Sequence, residues 1–245
     1  MPHRQRLSPM VSVMGAALLL GACQPANVAS APSAKPVQGS SIAAAKEGGE
    51  ASQIHTDGKL LAAAEVFENL TETAFSDSPA GLELNIAKGE AAVQMVRSNL
   101  AAQAGTDIER QMIILKTAAG RGERASVAIA AVETFRILVS SVSSLQKVPV
   151  AVSLLDYAGF RYDADLQANG ARWADASEAA TFAEKQWDFL GLQVSDVRLR
   201  AKIDRAIADM QTRAMAHQVV EGRAAAKTEL DLVDALEAYF TKSAT

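Results

Sequence analysis

The sequence predicts an all-α fold of seven to eight helices, arranged as a helical bundle or as stacked antiparallel helical hairpins. Three observations carry this. Apolar residues recur at three- and four-residue steps through the chain after residue 57, and no window shows sustained strand alternation. Alanine fills many of the inward positions, which lets helix axes approach closely. Short links between the periodic segments favour antiparallel neighbours. All twelve aromatics follow residue 66, and only Pro79 and Pro149 of the seven prolines lie beyond residue 57. A single packed domain is therefore expected over residues 57–242, large enough to bury roughly 70% of its unfolded surface without metals or disulfides.

The first helical stripe is Leu60, Ala64, Phe67, Leu70 and Ala74. Ser78 followed by Pro79 starts the second, because proline at the first helical position gives up no hydrogen bond and serine can cap. Its face is Leu82, Ile86, Gly89, Val93, Val96 and Leu100. Thr106 with Glu109 reads as a capping box opening a third helix through Ile108, Met112 and Leu115. Gly120-Arg121-Gly122 should interrupt it. Ala128, Val132, Phe135, Leu138, Val142 and Leu145 form the fourth face, which must end before Pro149. Val152, Leu155, Gly159, Tyr162 and Leu166 make the fifth, stopped by Asn169-Gly170. Trp173, Ala176, Ala180, Ala183, Trp187, Leu190 and Val194 line the sixth. Ser195 is placed to cap the seventh, with Leu199, Ile203, Ala206, Met210, Ala214 and His217 on its face. Ala225, Leu232, Leu236 and Tyr239 give the last.

Composition narrows the function classes. The 245 residues are 49% hydrophobic and 21% charged with a net charge of −4, unlike a fully disordered chain. Lysine and arginine are scattered, so there is no electrostatic footprint for nucleic acid. One cysteine excludes an internal disulfide, a four-cysteine zinc site and an iron–sulfur cluster. The sequence contains no Gly-x-Ser-x-Gly elbow, phosphate loop, His-Glu-x-x-His or Cys-x-x-Cys-His, so a non-enzymatic role is expected.

The amino end reads Met-Pro-His-Arg-Gln-Arg, followed by a mostly apolar run from Met10 to Ala22 and then Cys23. A run of about 13 residues is too short for a hydrocarbon core needing about 20, and it has the layout of a secretory h-region. From Gln24 to about Thr56 the chain is rich in alanine, serine, glycine and proline and has no aromatic. Residues 23–56 therefore read as a flexible tether, with an average reach of roughly 30 Å at 5–6 Å × √n. His55 lies in it as a solvated side chain.

The ordering of basic start, apolar run, Leu20-Gly21-Ala22-Cys23 and polar linker resembles the signal peptide and lipobox of bacterial lipoproteins. The resemblance covers about 23 residues. It implies that residues 1–22 are a removable signal, that Cys23 receives a diacylglyceryl thioether, and that its new amino group can be acylated, palmitate being the typical chain. Two or more acyl chains anchor stably at about 0.8 kcal/mol per buried methylene. Gln24 in place of aspartate implies the outer membrane, facing the periplasm, under the sorting rule of enteric bacteria. Removing residues 1–22 takes away Arg4 and Arg6 and no acid, which leaves a net charge of −6. Such a chain is held at anionic lipid by its acyl groups and not by charge.

Candidate binding residues are few. Asp156 and Asp163 lie seven apart at the edge of the fifth stripe beside Tyr157 and Phe160, with Arg161 pointing away. The two carboxylates could take a cation or a cationic ligand, or hydrogen-bond neighbouring helices. Glu229 falls inside the last apolar face and needs a partner, because unpaired burial of charge is costly. With Asp156, Asp163 and Glu184, Glu229 and His217 could form a carboxylate and imidazole site for a divalent metal, although Glu-x-x-His pairs are absent. His217 near a helix end is equally explained by terminal carbonyls. Tyr157, Phe160, Trp173 and Trp187 are candidates for a groove, or for ordinary core. The first reading is a lipid-anchored module that binds an envelope protein partner or scaffolds a complex, with no cofactor. The alternative is a periplasmic protein that binds a metal or a small ligand.

Overall fold

In the computed structural model the described residues are 41–143 and 146–243, with side chains described for 53–143 and 146–242. The segment read as a signal peptide, 1–22, Cys23, the part of the expected tether up to residue 40, and Leu145 of the fourth stripe lie outside them. The described residues form eight α-helices and no strand: α1 (Ser41–Thr73), α2 (Pro79–Val96), α3 (Ala102–Arg121), α4 (Arg124–Ser140), α5 (Val150–Leu166), α6 (Trp173–Leu190), α7 (Val197–Met215) and α8 (Val219–Ser243). Short 3-10 turns follow α2 and α6. None of these helices is long and apolar enough to cross a membrane.

The helices make two closed rings. In the first, α1 packs on α2 and α4, and α3 on α2 and α4; in the second, α5 packs on α6 and α8, and α7 on α6 and α8. Packing of α4 on α5 joins the rings. The molecule is thus a pair of four-helix bundles, each with its own core. Phe67, Leu70, Ile108, Leu115, Val132 and Leu138 fill the first. The second holds two layers, one around Leu155, Trp187, Ile203 and Leu236 and one around Tyr162, Met210 and Ala226.

Several boundaries follow the local chemistry read from the sequence. Ser78 Oγ accepts from Gly81 N at 3.1 Å and Pro79 opens α2. Gly122, at φ 69°, closes α3 in the left-handed conformation, and α4 ends before Pro149.

Others differ. Helix α1 starts at Ser41, inside the segment read as tether, where Ala43-Ala44-Ala45 favours helix. His55 is exposed, as expected, but it stands on this helix. Asp57 is fully buried and accepts from Gln53 and from the backbone N of Ser143, tying α1 to the end of α4. The Thr106–Glu109 capping box does not form. Helix α3 starts earlier at Ala102, Thr106 Oγ1 donates back to Ala102 O, and Glu109 pairs with Arg97. Asp196, not Ser195, caps α7 by accepting from Arg198 N and Leu199 N. Ser195 instead meets the Tyr239 hydroxyl.

Candidate functional site

Helix α5 is buried on nearly every side, because it belongs to the second ring and also carries the joint with α4. Polar residues on such a helix end up enclosed whichever way they point. Two polar clusters result.

The first lies between α4, α5 and α6. Arg161 is directed into this interface, contrary to the expectation that it points away. Its guanidinium pairs with Glu133 and with Asp165, at 2.9 Å for Nε to Oδ2. Asp165 is fully buried, and its carboxyl is pushed up to about 6 by burial, an effect that Arg161 and Arg172 partly offset. The Tyr157 hydroxyl donates to Glu133 Oε1 at 2.8 Å, and burial next to that carboxylate raises the Tyr157 pKa further. Opposite charges answer one another throughout, which is the pattern of a structural network.

The second cluster lacks that balance. A cleft of ≈ 510 Å³ lies among α1, α5 and α8, walled by Phe160 and Leu230 and lined by six carboxylates against two cations. Arg223 binds Asp163 at 2.8 Å, and Lys227 binds Asp231 at 2.8 Å. Among the described residues, Glu68, Glu72, Asp156 and Asp234 find no hydrogen-bond partner and no counter-ion. Asp156 is only 7% exposed. Burial first, and then the charges of Glu68, Glu229, Glu237 and Asp234, hold its carboxyl well above the ordinary range. Glu68 is pushed up to about 7 by burial and by Glu72, Glu237, Glu65 and Asp234.

Glu229 stands behind Asp156, fully buried, with both carboxylate oxygens lacking a hydrogen-bond partner. None of the described residues supplies the partner that its position requires. Burial alone holds its carboxyl well above the ordinary carboxylate range.

The four candidate ligand residues do not converge. Asp156, Asp163 and Glu229 lie along the α5–α8 contact, with Asp163 already paired. His217 is elsewhere: at φ 54° it closes α7, and its ring stacks on Trp173 with centroids 4.7 Å apart. Among the described residues, no group of three or more His, Cys, Asp or Glu is placed to hold a metal ion.

The four aromatics are likewise dispersed, because each packs with a different helix pair. Tyr157 meets Phe182 edge-on, Phe160 walls the acidic cleft, Trp173 stacks on His217, and Trp187 is buried with its indole N donating to Asp204. No common groove forms from them.

Sequence reasoning missed Glu68. Glu65, Glu68 and Glu72 recur at the spacing of one helix face, and that repeat beside the α1 stripe was the available signal. Compared with known proteins, the chain matches no family model, no curated protein and no solved structure.

Proposed function

We propose that the chain is a lipid-anchored protein of the bacterial envelope, held by acyl groups on Cys23 in the outer membrane and facing the periplasm. Its helical domain binds a protein partner or scaffolds a complex and catalyses no reaction. The observation that carries this reading is the order Leu20-Gly21-Ala22-Cys23 immediately after a short apolar run and ahead of a proline-rich linker. The exposed Phe189, Leu192 and Val197, gathered between residues 189 and 197 at the α6–α7 connection, support a protein-binding role.

Replacement of Cys23 tests the anchor. Cys23→Ser should abolish palmitate labelling and leave the protein unprocessed or soluble. Unchanged membrane fractionation, or an unmodified thiol in mass spectra of the native protein, overturns the assignment. Co-purification from membranes with one stable envelope protein is the expected result for the scaffolding role.

A second reading, a small-ligand-binding bundle, is favoured by one specific observation. Asp156 is a buried carboxylate with no counter-ion among the described residues, and it lines a cleft large enough for a small molecule.

A further inference from the structure

We propose that the cleft among α1, α5 and α8 binds a free alkylammonium ligand, a diamine or polyamine, with Asp156 as the inner counter-ion. This rests on the small-ligand reading and names the ligand class.

The geometry has three parts. At the floor, Asp156 is more than nine-tenths buried, lines the cleft and makes no hydrogen bond among the described residues. Along the walls, Glu68, Glu72 and Asp234 also have no cationic partner among the described residues, whereas Arg223 and Lys227 are engaged by Asp163 and Asp231. Between the acids, Phe160 and Leu230 supply apolar surface. An ammonium group brings three donors and a positive charge, which answers a buried acceptor-only carboxylate, and its methylene stem can lie on the apolar wall. A divalent metal is a poorer match, because calcium needs six to eight oxygens converging at 2.3–2.6 Å. A ligand with two or more ammonium groups separated by methylenes can instead reach carboxylates set at intervals along a cleft.

The electrostatics fit the same occupant. The carboxyls of Asp156 and Glu68 are shifted toward the protonated form by burial and by repulsion from Glu65, Glu72 and the α8 acids Glu229, Asp234 and Glu237. On the far side of α5, Glu133, Arg136 and Asp175 are engaged with Tyr157 and Arg161. A bound cation reverses the repulsion, so binding should release protons and tighten as pH rises from 6 to 8.

The test is calorimetric titration of the whole purified protein with putrescine and spermidine at constant ionic strength. Lysine-bearing peptide, magnesium, calcium and an uncharged diol of similar length are run in parallel. The expected result is saturable binding of one amine per chain with a Kd below about 1 mM, with proton release evident in buffers of different ionisation heat. Asp156→Asn, shown to be folded by its circular dichroism, should weaken binding at least ten-fold. Glu90→Gln, on α2 and outside the cleft, should not. Absence of saturable amine binding, or an Asp156→Asn protein with unchanged affinity, overturns the proposal. Binding of the peptide alone also overturns it while leaving the protein-binding reading intact. Asp156-dependent binding of the diol or of a metal, without the amines, sinks the amine and keeps a small-ligand site.

Discussion

The Glu229 carboxyl of α8 lies directly over Gly159 of α5, in the space that a Cβ on residue 159 would occupy, with Leu230 crowding the same point. The α5–α8 contact, which closes the second ring and forms the back of the acidic cleft, therefore depends on a missing side chain. Gly159→Ala should destabilise the protein by about 1–3 kcal/mol through overpacking, despite alanine's better helix propensity. Denaturant unfolding gives the number. A neutral or stabilising outcome would mean that α8 does not sit this close to α5.

A pH dependence follows from the acidic cleft that α1 completes in front of this contact. Glu68 has a folded-state pKa near 7 against an ordinary value of 4.5, and Asp156 is raised as well. A carboxyl with a raised folded pKa binds more protons in the folded state, so its destabilising effect is absent below the unfolded value. The effect grows as pH rises and is complete above the folded pKa. The melting temperature should therefore fall between about pH 4.5 and 7 through Glu68, with Asp156 extending the decline upward. Glu68→Gln should flatten the lower part of that slope, and Asp156→Asn should raise the melting temperature at pH 8. Slopes parallel to that of the parent protein would show these groups to be ordinary in the fold.

Legibility of the sequence divides along physical lines. Helix existence and the ends marked by Ser78-Pro79 and Gly122 were readable, because propensity, capping and dihedral preference act locally. The apolar periodicity also identified Glu229 as buried. The reason α5 is enclosed on all sides was not readable. Its residues 155–159 read as a stripe with polar edges, whereas the joint with α4 turns Tyr157 inward and α1 and α8 enclose Asp156. Arg161 was misread for the same cause: a position opposite the stripe faces solvent in one bundle, but faces another helix when two bundles share a joint. The site fared similarly. Asp156 and Asp163 could be singled out by spacing, whereas Glu68 and Asp234 reach the cleft from helices far along the chain.

The Arg161 network gives a contrasting prediction. Arg161→Met leaves fully buried Asp165 and mostly buried Glu133 without their shared cation. Removal of one partner from a buried pair costs about 3–5 kcal/mol. Arg161→Met with Asp165→Leu should recover much of that loss, since the uncompensated charge goes too. Additive losses in a double-mutant cycle would show that the two side chains do not act as a pair.

Trp187 separates core packing from a surface role for the aromatics. The side chain is 7% exposed, its indole N donates to Asp204 Oδ1 at 2.5 Å, and Gly191 backs its ring. Trp187→Ala should cost about 3–5 kcal/mol as a buried aromatic lost from the second bundle. Trp187→Phe retains most of the packing and gives up the hydrogen bond, so about 1 kcal/mol is expected in addition to a small volume effect. The comparison is best made by chemical denaturation at one pH, because the acidic cleft makes stability pH-dependent. A loss below about 1 kcal/mol for the alanine variant would place the ring at the surface and restore it as a candidate for binding a partner.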